Sequence, residues 1–397
     1  ELQALAITQL RIMAPLAYLS GAIGMGFGTL NAAEHYLLPA LSPIISSLAV
    51  IVAVFFFRED GGANVLAWGT LAGGIVQWLA QIPLQVKMGL GTFRWRWDWS
   101  RPEVRTVVGI MIPAVLSSGA VYINVNTDLI FASYIPGDRT IGNLTYAQLL
   151  YLTPLGILSN VILVPLMPLY SRLAIPTNWP EFRVRIRQGL IVATICLLPA
   201  SMLLGVLARP MVQVVYERGK FTADITTEVA ALLAAYAVGM VFYLCRDILV
   251  RIFYALEDSR TPFLISLGAI FFNALFDYIG IQLVGAAGLP LSTAGVNIVA
   301  AFVMGAVLQN KLGGLAWNAV LWDAGRMFGV TAIAGFLTHF IWIGSASLLS
   351  SPDPLSIVVR ASVAGAIGLL VFAGGTLVLG ISEVEQLRRR GRRMFDS

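Results

Sequence analysis

Charge is scarce in this 397-residue chain: Asp, Glu, Lys and Arg together make up 12% of it, against about a quarter in an ordinary soluble domain. Apolar residues reach 58% and the mean hydropathy is +0.81, which excludes a soluble globular fold and predicts a polytopic membrane protein. Strand-period alternation is absent, so an all-α bundle is expected rather than a barrel. Cysteine and histidine are scarcer still. Cys196, Cys245, His35 and His339 are the complete set, and their scatter excludes a zinc site built on metal-ligand spacing. No GxxxxGK[ST], GxSxG or Gly-rich nucleotide loop occurs, so the chain offers no nucleotide site and no sign of a membrane enzyme. The formal charge of +5 reads as basic loops facing anionic lipid, with no role for nucleic acid. A charged n-region with a cleavage site is also missing after Glu1, so no signal peptide is expected.

What the chain does have is long apolar segments. Eleven reach spanning length, about 20 residues: 5–29, 36–57, 63–87, 104–134, 142–170, 186–208, 226–254, 262–283, 286–310, 322–345 and 356–380. All are expected as helices, because lipid leaves backbone groups no partner outside their own segment. With the chain start placed outside, 18 of the 26 Lys and Arg residues fall on the inner side, including the tail Arg388-Arg-Arg-Gly-Arg-Arg393. The positive-inside rule therefore predicts a cytoplasmic C-terminus.

The chain also repeats itself. At an offset of 223, Ala32, Glu34, Pro39, Leu41, Gly62, Ala63, Leu66 and Thr70 meet Ala255, Glu257, Pro262, Leu264, Gly285, Ala286, Leu289 and Thr293 without a gap. Eight identities over this stretch argue duplication. The later copy holds six spans and the earlier copy shows three, so the arithmetic places roughly 120 residues and three helices ahead of Glu1. Six is an even number, so both copies share one topology about a pseudo-twofold axis along the membrane normal. The expected organisation is a partial N-lobe at 1–88, a cytoplasmic linker at 89–103 whose Phe93-Arg-Trp-Arg-Trp-Asp-Trp-Ser100 suits an interfacial anchor, a C-lobe at 104–311, and two additional helices with a basic tail at 312–397.

Charges inside a membrane cost on the order of 3 kcal/mol each and mark function by default. Arg11, Asp128, Arg246, Asp247 and Asp277 qualify. Asn273 shares a helix face with Asp277, and Thr293 opens the next helix. Together with Asp128 and a backbone carbonyl these are hard oxygen ligands, suited to Na⁺ or, through the two acids, to protons. The alternative is that Asp128 pairs with Arg246 and Asp277 caps a helix end. Asp247 and Arg251 stand at i, i+4 and are expected to pair within their helix.

Several stretches together resemble the MurJ/MviN family of lipid II flippases, in the multidrug/oligosaccharidyl-lipid/polysaccharide exporter superfamily. They include Leu10-Arg-Ile-Met-Ala-Pro15, Leu30-Asn-Ala-Ala-Glu-His-Tyr-Leu-Leu-Pro-Ala-Leu-Ser-Pro43, Gly73-Gly-Ile-Val-Gln77, Gly219-Lys-Phe-Thr-Ala223 and Phe253-Tyr-Ala-Leu-Glu-Asp-Ser-Arg-Thr-Pro262. The resemblance implies a two-lobe flippase working by alternating access. It would move an undecaprenyl-linked peptidoglycan precursor outward across the bacterial inner membrane, with membrane lipids and other cell-wall synthesis proteins as partners. The last two helices would form a lipid-facing groove for the polyprenyl tail. The resemblance also places a sodium site on Asp128, Asn273, Asp277, the Leu289 carbonyl and Thr293, making Na⁺ the expected coupling ion and no other cofactor necessary. Substrate contacts are expected at Arg246, Arg251 and Gln148. Three positions depart from the family pattern. Gln148 and Leu149 stand where its eighth-helix motif carries an acid and an arginine, and Asp247 stands where it carries a lysine. These keep open an exporter of another lipid-linked oligosaccharide, or a non-transporting membrane partner.

Overall fold

The computed structural model describes residues 2–33, 35, 37–89, 101–102, 104–105, 108, 111, 126–135, 139–345 and 353–380. The Trp/Arg stretch 93–100, the tail 388–393 and most of the segment 104–134 lie outside the described residues. Among the described residues nine helical stretches are long and apolar enough to cross a membrane, and one of these, Arg260–Leu312, turns back on itself as two helices. The chain is a multi-pass helical membrane protein, and no strand occurs among the described residues.

The chain divides into two compact units, Glu1–Arg105 and Thr106–Ser397. The first contains α1 (Leu2–Met13), α2 (Pro15–Ala32), α3 (Leu37–Gly61) and α4 (Asn64–Lys87). The span expected at 5–29 is present as the single apolar stretch Gln3–Asn31, broken at Ala14 into α1 and α2. Pro15 has no N–H to give the preceding turn, so α1 stops at Met13 and Pro15 takes the first position of α2. Helix α4 packs on α3 and α2 through small residues: a Cβ on Gly73 would meet Ser46, and one on Gly74 would meet Leu16.

The second unit contains α5 (Thr140–Leu173), α6 (Trp179–Val206), the short α7 (Ala208–Tyr216), α8 (Ala223–Ala255), α9 (Arg260–Val284), α10 (Gly288–Leu312), α11 (Trp317–Gly344) and α12 (Pro354–Val378). Its core is organised around α8, which packs on α5, α6 and α10. Along α8, Leu233, Met240, Leu244, Ile248, Ile252 and Phe253 are all fully buried. Their spacing follows the helix period, and an apolar helix covered by protein on several sides is a bundle centre rather than a lipid-facing strut. Outward residues such as Phe271, Leu283, Phe336 and Leu370 stay exposed, as a bilayer requires. Helices α11 and α12 dock on α6, where Gly335 and Gly365 abut Met202 and Leu203. Near one end of α11, Arg187 donates to Asp323 at 2.7 Å, and Arg326 donates to the Leu379 carbonyl at 2.8 Å.

The helix boundaries carry the repeat. Shifted by 223, Leu37–Gly61 falls on Arg260–Val284, and the end of α2 at Ala32 falls on the end of α8 at Ala255. Gly62 and Gly285, which follow α3 and α9, both hold left-handed backbone, at φ +52 and +63. A side chain there would cost roughly 1–2 kcal/mol, which accounts for glycine at both.

The motif 253–262 forms the turn between α8 and α9. Asp258 accepts the Thr261 N–H at 3.0 Å, the Thr261 hydroxyl at 2.8 Å and the Lys311 ammonium at 2.8 Å. One carboxylate thus caps the start of α9 and ties it to the end of α10. The Lys311 ammonium is the chief reason that the Asp258 carboxyl is held down to about 2.

Candidate functional site

Three separate stretches of chain bring polar groups together inside the second unit. The helical stretch 126–133 carries Asp128. Helix α9 carries Asn273 and Asp277 one turn apart, and α10 carries Thr293 in its second turn. Asn273 and Asp277 are 1% and 0% exposed, so each polar atom must find a partner within the protein. The Asn273 amide nitrogen donates to Asp277 Oδ2 at 2.7 Å and to Asp128 Oδ1 at 2.9 Å. Thr293 Oγ1 donates to Asp128 Oδ2 at 3.0 Å. The two carboxyl groups are thus joined through the one Asn273 amide.

Two expectations are thereby decided. Asp128 is held by Asn273 and Thr293, not by Arg246, and Asp277 lies well inside α9 rather than capping its end. Leu289, in the first turn of α10, is fully buried. One atom of the cluster is left over. Among the described residues, Asp277 Oδ1 is buried and has no hydrogen-bond partner. Leaving a carboxylate oxygen in that state costs at least 1–3 kcal/mol, and neighbouring acids without a counter-charge add repulsion. A proton or a small cation relieves both.

The donor set fits a hard monovalent cation. Carboxylate, amide and hydroxyl oxygens are the ligands such an ion takes. In the arrangement described, the Asn273 NH₂ lies between the acids and supplies the positive end of a dipole to each. Turning that amide over exchanges its donor for an acceptor, so the same residue serves the charged and the neutralised cluster. Among the described residues no group of three or more His, Cys, Asp or Glu stands together.

The remaining residues singled out in the sequence lie apart from this cluster. Arg251 pairs with Asp247 at 3.7 Å, each about one third exposed, as their spacing predicts. Arg246 is half-buried on α8, one residue before Asp247, and Gln148 is half-buried on α5. Two buried tyrosines, Tyr151 of α5 and Tyr236 of α8, stack with ring centroids 5.1 Å apart. Tyr236 stands within electrostatic range of Asp128 and Asp277. Sequence reasoning did not single out this pair; its only signal is the recurrence of Tyr236 and Tyr243 at seven-residue spacing on one helix.

Known proteins are similar to this chain in sequence and fold. Residues 1–350 match the family model described as lipid II flippase MurJ. The chain is 44% identical over 405 residues to the probable lipid II flippase MurJ of Synechocystis sp., covering 98% of this chain and 75% of that protein. It is 30% identical over 296 residues to the lipid II flippase MurJ of Burkholderia cenocepacia, covering 72% of this chain and 57% of the relative. Among solved structures, a lipid II flippase MurJ in an inward closed conformation superposes with a TM-score of 0.73 at 20% identity, covering 93% of this chain and 74% of that one. An inward-facing multidrug resistance MATE family transporter of the MOP superfamily superposes with a TM-score of 0.66 at 17% identity, covering 78% and 72%. These two likenesses speak to the fold.

Proposed function

We propose, from the premise that this chain belongs to the lipid II flippase MurJ family, that it is a transporter carrying lipid II across the bacterial inner membrane and that a monovalent cation drives the cycle. On this reading the C-terminus and the α8–α9 turn lie in the cytoplasm and the α9–α10 turn lies outside. The observation that carries the coupling is the buried Asp277 oxygen left without a partner beside a second acid. Bound there, a sodium ion supplies positive charge that neither carboxylate can draw from water. Asp128, Asn273, Asp277, the Leu289 carbonyl and Thr293 are the residues to hold it, and protons on the two acids are the competing form of the same charge.

The residues do this by linking elements. With the acids neutralised, Asn273 and Thr293 bridge α9 and α10 to the stretch carrying Asp128. With them charged and empty, repulsion opposes that closure by several kcal/mol at low dielectric. Occupancy therefore biases how these helices pack, which is what a coupling ion must do. Arg246 and Arg251 are the cations offered to an anionic headgroup, as charge-assisted donors to phosphate oxygens.

The test is lipid II translocation by the protein in proteoliposomes under an imposed sodium or proton gradient. Asp277→Asn should lose the dependence on the driving cation and at least about 1.4 kcal/mol of coupling, a tenfold effect. Undiminished cation dependence in that variant would overturn the reading. A second reading of the substrate, another undecaprenyl-linked oligosaccharide, is favoured by Gln148 and Asp247 at positions where the family pattern is charged otherwise. Competition between lipid II and such a species in the same vesicles separates the two.

A further inference from the structure

The two helices outside the repeat, α11 and α12, are clamped at each end by an arginine. At one end Arg326 of α11 donates to the Leu379 carbonyl that closes α12. At the other, Arg360 of α12 donates from Nη2 to the Trp342 carbonyl in the last turn of α11 at 3.1 Å, and from Nε to Ser345 Oγ at 3.1 Å. A cation at the carbonyl end of a helix is favourable, so both clamps have a structural reason. Their charges are handled differently. Arg326 has Asp323 at 3.8 Å. Arg360 has no carboxylate within 4 Å among the described residues; its guanidinium lies over the Trp342 ring, 4.4 Å from the centroid.

The sequence around Arg360 offers no counter-ion. The connection Ala346-Ser-Leu-Leu-Ser-Ser-Pro352 contains no acid, Arg360 is the sole ionisable residue of α12, and Asp353 stands two turns away and exposed. A second cation lies at the same end of the bundle. Gly365 of α12 abuts Leu207, between α6 and α7, and Arg209 follows two residues later, exposed and without an acid partner among the described residues. An uncompensated charge within a span is costly. Arg360 is six residues into α12, about 9 Å, a depth from which an arginine reaches headgroup phosphates. Ile343 and Val359, next in sequence to Trp342 and Arg360, are exposed, as a lipid-facing surface requires. The clamp spends two of the five guanidinium N–H donors. Stacking on Trp342 fixes the guanidinium plane, so the edge that carries Nη1 is held ready for a pair of oxygens.

We propose that Arg360, with Arg209 at the same end, forms a binding site for the phosphate group of a lipid in the outer leaflet. The guanidinium edge takes two phosphate oxygens, Arg209 adds charge, and the exposed apolar residues receive the chain. Two lipids carry this chemistry: an anionic phospholipid, and the diphosphate of a lipid-linked substrate after it has crossed. The placement outside rests on the threading proposed above. The binding itself does not, and neither depends on the cation site.

Lipid retention by the purified protein in detergent tests it, with radiolabelled undecaprenyl diphosphate and phosphatidylglycerol as separate probes. Arg360→Gln should weaken retention about tenfold and Arg209→Gln about threefold. Arg360→Lys keeps the charge without the planar edge and should restore only part of the loss. A loss confined to undecaprenyl diphosphate assigns the site to the lipid-linked substrate, and a loss for phosphatidylglycerol assigns it to the phospholipid. A clamp with no ligand would lower the thermal midpoint of Arg360→Gln and leave both affinities unchanged, which would overturn the proposal. Should Arg360→Gln fail to fold, Arg360→Lys retains a donor for the Trp342 carbonyl, and unchanged affinities there and in Arg209→Gln would overturn it equally. The leaflet is read separately, in a background with Cys196→Ala and Cys245→Ala. An impermeant thiol reagent should reach Arg209→Cys from outside; labelling from the inner side alone would sink the threading and leave the phosphate site standing.

Discussion

Asn273 is the residue on which the cluster turns, because its single NH₂ group serves two acids from different parts of the chain. Hydrogen bonds to charged acceptors contribute about 1.5–3 kcal/mol each, so Asn273→Ala should lower stability by about 3 kcal/mol, read as a fall in the thermal midpoint in detergent. Thr293→Val removes one bond to Asp128 and should cost about 1 kcal/mol in the same assay. The pairing of Asn273 with Asp277 was legible in the sequence, since four residues on a helix return to the same face. Their junction with Asp128 was not, because no periodicity links residues 145 positions apart; there the family resemblance supplied what spacing could not.

Between elements, the close approach of Gly280 to Gly288 is a tight backbone constraint in the second unit. A Cβ on Gly288 would come within 2.2 Å of the Gly280 carbonyl carbon, and backbone cannot move aside as a flexible side chain can. Gly288→Val should therefore spread the α9–α10 hairpin and cost upwards of about 2 kcal/mol, whereas Gly268→Val, with open space around it, should be tolerated. At the opposite end of the hairpin Asp258 links acid stability to packing. Its folded carboxyl sits near 2, below the unfolded value of about 3.9. The Asp258–Lys311 contribution is thus fully present above about pH 4 and is lost as pH falls through 2. Lys311→Met should be less stable than the native protein at pH 5, and the gap in thermal midpoint should narrow steadily below pH 4 and close only below pH 2. Most helices were legible as apolar runs. Helix α7 was not, because nine amphipathic residues give no spanning signal, and the division of the first span at Pro15 shows a local rule overriding hydropathy.

For the whole molecule, the repeat explains why one fold contains both an inert hairpin and a charged one. Duplication gives α3–α4 and α9–α10 nearly the same lengths and a positive-φ glycine after the first helix of each, and the later copy alone carries the Asn273 amide and the Asp277 acid. That division has meaning only if the chain is threaded through the membrane as its loop charges require. Helix α6 supplies a clean test, because its 28 residues extend about 42 Å, more than the roughly 30 Å hydrocarbon core. Thr177, just before it, and Lys220, beyond α7, must then face opposite sides. Arg172, Arg183, Arg185 and Arg187 gather at the Thr177 end, which the positive-inside rule assigns to the cytoplasm. In intact spheroplasts an impermeant thiol reagent should label Lys220→Cys and spare Thr177→Cys, and permeabilisation should expose the second. Labelling in the reverse order would invert every inside and outside assigned above.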